Sequence, residues 1–127
     1  MIAFSRLDEA IASPSLAPQA APIDREHLAR MTLGERSLER EVLVLFDRQA
    51  DMMLGRMSKA IPSIAAAAAH TLKGSARGIG AWRVASAAEA VELAAAGPAG
   101  EYKTTLGTIR AAVDEAKAAI AEMLRAN

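Results

Sequence analysis

The run Glu101–Ala126, EYKTTLGTIRAAVDEAKAAIAEMLRA, decides how this chain folds. Within it Tyr102, Leu106, Ile109, Val113, Ala116, Ile120 and Met123 follow one another at steps of four and three without a break. That spacing returns to one side of an α-helix at every turn, so the run predicts a long helix with a single apolar stripe. A stripe of this length is what an antiparallel bundle neighbour covers.

The segments before it fit the same plan. Ala81–Ala96 places Val84, Ala87, Ala88, Val91 and Ala95 on one stripe and stops at Gly97-Pro98. Pro62 suits a helical first turn, and a helix is expected from about Pro62 to Arg77, with Gly78 and Gly80 permitting a sharp turn after it. From Glu35 to about Met57 the set Leu38, Val42, Leu45, Phe46, Met52, Met53 and Met57 predicts one face of another long helix. Asp24 offers an N-cap for a brief helix through Met31, ended by Gly34. Further upstream, Ile2–Ala12 reads as a short amphipathic helix with Phe4, Leu7 and Ile11 on one side, and the proline-bearing Ser13–Pro22 as a linker. No alternating strand pattern occurs. The expectation is an all-α, up-down antiparallel four-helix bundle over residues 23–127, with short additional N-terminal helices and an extension over residues 1–22.

Composition narrows the function classes. A chain of 127 residues suffices for one domain and leaves no room for a separate catalytic domain beside the bundle. Although 52% of residues are hydrophobic, much of that is alanine and aromatics are only 3%, so Leu, Ile, Val and Met must supply the bulk of the core. Fifteen basic residues balance fifteen acidic ones, which gives no cationic field for a polyanion and disfavours nucleic acid as a partner. Cysteine is absent, excluding disulfides and thiolate metal sites and fitting a reducing compartment. The longest wholly apolar stretch, Ile64–Ala69, is far too short to span a bilayer, and Asp8 and Glu9 interrupt the start of the chain. A cytoplasmic, monomeric protein without a membrane partner is expected.

Chemistry concentrates in Ala69-His70-Thr71-Leu72-Lys73-Gly74-Ser75-Ala76. Projected at about 100° per residue, Ile64, Ala65, Ala68, Leu72, Ser75, Ala76 and Ile79 fall on one side, which should face the core. Ser63, Ala66, Ala67, Lys73, Gly74 and Arg77 lie within about 60° of His70 on the opposite side. The imidazole is therefore expected to stand in solvent, on a platform of very small side chains with two cations at its rim. An exposed neutral imidazole is a nucleophile near pH 7. Lys73, one turn on, would favour the neutral ring and afterwards hold an anionic adduct. Gly74 removes a side chain that would obstruct a partner, at a cost of roughly 1 kcal/mol of helix propensity relative to alanine. Most surface histidines do nothing, and His27 is read that way.

The order His70-Thr71-Leu72-Lys73-Gly74-Ser75-Ala76, followed by Ile79-Gly80-Ala81, Val84, Ala88 and Val91-Glu92, closely resembles the histidine-containing phosphotransfer (HPt) domain family of bacterial multistep phosphorelays. The likeness extends from Ile23-Asp24 through the Leu45-Phe46 pair to the C-terminus. It implies a four-helix bundle that relays a phosphoryl group from the receiver domain of a hybrid sensor kinase to a response regulator. By the same resemblance His70 is the phospho-acceptor through Nε2, Lys73 the phosphate-stabilising cation and Gly74 the residue permitting close docking. Glu92 falls where members often carry Gln, and is a candidate for orienting the imidazole through Nδ1–H; a solvated surface glutamate is the plainer reading. Ser63, Ala66, Ala67 and Arg77 are candidate partner-binding residues, with Arg83 or Trp82 at the edge. Trp82 either borders that face or folds over the N-terminal segment.

No cofactor or metal site is expected, since carboxylate clusters and a second histidine are missing around His70. Mg²⁺ and the catalytic aspartate would belong to the partner receiver, making this chain a phosphoryl carrier rather than an enzyme. Two alternatives stand beside that reading. One is a phosphotransfer domain like those of chemotaxis kinases; no ATP-binding Gly-rich loop occurs between Met1 and Asn127, so its kinase would act in trans. The other is a non-catalytic helical-bundle adaptor.

Overall fold

A computed structural model describes residues 21–59 and 61–126. The expected Ile2–Ala12 helix and nearly all of the Ser13–Pro22 linker lie outside the described residues. Among the described residues there are five helices: α1 (Arg25–Met31), α2 (Arg36–Lys59), α3 (Pro62–Ile79), α4 (Trp82–Ala94) and α5 (Ala99–Ala126). The last four form the bundle. α3 packs between α2 and α4, α4 packs on α5, and α5 closes the ring on α2, while short α1 lies against α3.

The antiparallel arrangement of α2 and α5 is fixed at both ends. Tyr102, at the start of α5, donates its hydroxyl to the Met57 carbonyl near the end of α2 (2.7 Å). Arg40, near the start of α2, donates to the Leu124 carbonyl in the last turn of α5 (3.0 Å), where a cation also meets the negative end of the helix dipole. Between them Lys117 Nζ pairs with Asp47 and Asp51 at 2.9 and 3.0 Å.

The stripe of α5 is buried at Ile109, Val113, Ala116, Ile120 and Met123, and that of α4 at Val84, Ala87, Ala88, Val91 and Ala95, as their periodicity predicts. On α2 the expected face is partly wrong. Phe46, Met53 and Met57 are buried, but Leu38, Leu45 and Met52 are exposed, and Leu43 and Ala50 take their places. The buried set 43, 46, 50, 53, 57 steps by three and four throughout. The expected one shifted register because Glu41–Phe46 offers several adjacent apolar residues and Ala50 carries little hydrophobic signal. On α3, Ile64 is likewise exposed and Ala69 fully buried, because the helix turns its Ala65–Ala69–Leu72–Ala76 side toward the core. Burying Leu72 completely contributes on the order of 2 kcal/mol and fixes the rotation of α3 about its axis.

Asp24 ties α1 to the α3–α4 corner. Its Oδ1 accepts the His27 N–H as an N-cap (3.1 Å), its Oδ2 accepts the Trp82 indole N–H (2.9 Å), and its own N–H donates to the Gly80 carbonyl (2.9 Å). Gly80 ends α3 at φ +80°, and Ala81 N–H closes a Schellman-type bond to the Ala76 carbonyl (2.9 Å). A Cβ at position 80 would lie 2.8 Å from Asp24 Cβ, so the corner requires glycine both for its backbone and for its space. Trp82 therefore packs on α1 and its N-cap, at His27 and Asp24; the segment over residues 1–20 lies outside the described residues. His27 is no idle surface residue either: its Nε2–H donates to the Arg77 carbonyl (2.9 Å) and its ring packs on Trp82 with centroids 4.8 Å apart.

Candidate functional site

α3 carries the site on its outer face. Ala69 and Leu72, on either side of His70 in sequence, have no exposed surface, so the backbone beneath the imidazole is held by the core. The His70 side chain itself is 69% exposed. Ser63, Ala67, Gly74 and Arg77 are exposed around it and Ala66 is half-buried. A Cβ on Gly74 would meet nothing within 4 Å, so the glycine serves no internal packing need.

Glu92 reaches across from α4 and joins two side chains of α3, His70 and Lys73. Its Oε2 lies 2.9 Å from His70 Nδ1, and its Oε1 lies 2.8 Å from Lys73 Nζ. An ionised carboxylate only accepts hydrogen bonds, so the proton between them sits on Nδ1 and the neutral ring keeps its lone pair on Nε2. The Lys73 ammonium holds the Glu92 carboxyl below its usual range; burial works against this, and the His70 hydrogen bond adds to it. Lys73 does not stand at the rim of the platform. Its side chain is only 14% exposed, laid against α4 by this pair. The second cation, Arg77, is exposed and sits 3.9 Å from Glu89, a contact too long and too wet to hold it firmly.

Among the described residues no three His, Asp or Glu side chains gather as a metal-binding group. None of the described helices is long and apolar enough to cross a membrane.

A family model, Hpt domain, matches residues 41–125, about two thirds of the chain. The chain belongs to the Hpt domain family. Its fold, all-helical with a four-helix core, is the one such domains have, and membership assigns it to phosphotransfer in phosphorelay signalling, where Hpt domains carry phosphoryl groups between receiver-domain and response-regulator partners. No curated protein and no solved structure matches the chain.

Two features of this Hpt domain's surface escaped sequence reasoning. Leu93, next to Glu92 in α4, is 78% exposed, and nothing in the α4 periodicity marked it. Leu45 and Met52, assigned to the core by their spacing, instead form an apolar groove with Val42, Phe46 and, from α3, Ser75 and Ile79. A run of exposed leucine and methionine on a helix otherwise rich in charge was the available signal.

Proposed function

We propose that His70 is the phospho-acceptor of this domain, taking a phosphoryl group on Nε2 from the aspartyl phosphate of a hybrid kinase's receiver domain and passing it to the aspartate of a response regulator. The observation that carries the reading is the exposed imidazole whose Nδ1 is occupied by Glu92, which leaves Nε2 as the nucleophile. In-line transfer needs the two reacting groups aligned and the equatorial oxygens neutralised. Lys73 supplies one cation by exchanging part of its contact with Glu92 for the incoming phosphoryl oxygens. The partner receiver supplies Mg²⁺ and the aspartate, and this chain acts as the carrier.

The docking face centres on Ala66, Ala67 and Gly74, with Ser63 and Arg77 beside them. Its small side chains let a receiver bring its active site over the ring. Leu93, beside Glu92, adds apolar surface at the edge of that face for a receiver helix to cover. We assign this function to residues 23–127 in the cytoplasm.

The test is labelling. Incubated with a hybrid kinase, its receiver and labelled ATP, the protein should gain an acid-labile, alkali-stable label that His70→Gln lacks. Label from ATP alone would make it an autokinase, and no label with any donor would leave the adaptor reading.

A further inference from the structure

We infer that Glu92 is a positioning residue that keeps the Nδ1 proton on His70 throughout the phosphorylated state, and so sets the pH range over which the phosphoryl group can be handed on. The inference rests on the function proposed for His70 and concerns the regulation of that same site.

The electron count shows why the proton matters. When the Nε2 lone pair attacks the phosphorus of an aspartyl phosphate, an N–P bond forms and the P–O bond breaks, its electron pair going to the aspartate. The ring, still protonated on Nδ1, becomes a phosphoimidazolium, and the Nδ1 that shares its positive charge is the atom lying 2.9 Å from Glu92 Oε2 in the unphosphorylated domain. In onward transfer a carboxylate oxygen of the acceptor aspartate attacks phosphorus, the N–P bond breaks, and its electrons return to Nε2. The ring then leaves as neutral imidazole with the same Nδ1 proton, and no proton has been exchanged with solvent. If Nδ1 lost its proton while phosphorylated, the leaving group would be an imidazolate anion, a far poorer one, and the phosphoryl group would be stranded.

A carboxylate is the group suited to this task. A neutral amide in the same place could accept the Nδ1–H bond and orient the ring, but it would not offset the charge that develops there. The other charged groups near α3 do not share the role. Lys73 is paired with Glu92 itself, Arg77 faces Glu89, Arg48 of α2 lies in the wall of the groove with Ser75 and Ile79, and His27 of α1 is bonded to the Arg77 carbonyl. Lys73 opposes Glu92 in this respect, because its ammonium draws on the same carboxylate (2.8 Å).

The test reads the proton without any partner. Potassium phosphoramidate phosphorylates exposed imidazoles directly, and the phosphohistidine resonance, identified by its absence from His70→Gln, can be followed by ³¹P NMR from pH 5 to pH 10. Glu92→Gln should move the titration midpoint down by about one pH unit, and Lys73→Met should move it up. With a fixed acceptor receiver, the alkaline fall in transfer rate should move in the same directions, the receiver's own titration cancelling between variants. Superimposable titrations of wild type and Glu92→Gln would overturn the inference. Because the chemical donor bypasses the kinase, this result is independent of whether aspartyl phosphate labels His70, so the two proposals can fail separately.

Discussion

Replacing Gly74 should make the protein more stable and less functional at once. The residue lies in the interior of α3 without positive φ, and an added Cβ finds open space within 4 Å. Nothing in the fold therefore resists a side chain. Glycine costs a helix about 0.8–1.0 kcal/mol relative to alanine, and glutamine is nearly as good a helix former as alanine. Gly74→Ala and Gly74→Gln should thus each stabilise by about 0.5–1 kcal/mol, or about 2–5 °C in Tm for a domain of this size. Gly107, in the middle of α5, is the control: a Cβ there would also meet nothing within 4 Å, and Gly107→Ala should give the same gain. The binding consequences should separate the two sites. On the proposed docking face the Gln side chain would stand between the receiver and the imidazole, and receiver affinity should fall at least about tenfold, equivalent to about 1.4 kcal/mol, while Gly107→Ala should bind as wild type does. Urea denaturation and titration with the cognate receiver give both quantities. A Gly74→Gln protein that is stabilised yet binds with an unchanged Kd would refute the reasoning, since the glycine would then have neither a folding nor a docking purpose.

Lys73→Ala should slow phosphotransfer by about a hundredfold or more, as loss of a single charge-stabilising donor does, with helical content unchanged by circular dichroism; a wild-type rate would remove Lys73 from the mechanism. Gly80→Ala combines a left-handed backbone at φ +80° with contacts of 2.8 and 2.9 Å to Asp24, and should cost at least about 2 kcal/mol in urea denaturation; a loss under about 0.5 kcal/mol would mean that the corner yields. For Asp24, burial works to raise the carboxyl's pKa, but the Trp82 indole, the His27 N–H and the charges of His27 and Arg30 outweigh it and hold the pKa below its ordinary value. The unfolded chain then binds the proton more readily, so this contribution is present above the unfolded value of about 4 and is lost as pH falls through the lowered folded one. Asp24→Asn should flatten that acid limb of the stability curve, and an unaltered limb would exclude Asp24 as its source.

What could be read from the sequence was whatever depends on neighbours along one helix. The stripe of α5 needed only the spacing of Ile109, Val113, Ala116, Ile120 and Met123, and the exposure of His70 only the angular separation of its platform from Leu72 and Ala76. Where one helix offers two apolar registers, spacing does not choose. Leu45 and Met52 stand seven apart, as do Leu43 and Ala50, and packing against α5 and α3 decided for the pair with the smaller residue. Relations between helices were further out of reach. Glu92 meets His70 and Lys73 across 22 and 19 positions, and Trp82 meets Asp24 across 58, so each contact depends on the axial offset of two helices, which no single periodicity encodes. The family resemblance, not spacing, offered Glu92 to His70 Nδ1, and nothing paired Glu92 with Lys73 or Trp82 with Asp24.

The same distinction explains how the site can be both rigid and available. The proposed nucleophile, His70, is placed on a helix whose Ala65, Ala69, Leu72 and Ala76 are buried, not on a loop, so the ring's root cannot move without opening the core. What remains adjustable is at the periphery: the torsions of His70 and Lys73 and the division of one carboxylate between them. A carrier that must meet a donor and an acceptor in turn gains from this. On the function proposed for His70, each partner would close over the same fixed imidazole, and the bound state would differ from the free one by the reassignment of a lysine contact rather than by a change of fold. The bundle accordingly needs no moving part of its own, and the orientation of the reacting atoms is set before either receiver arrives.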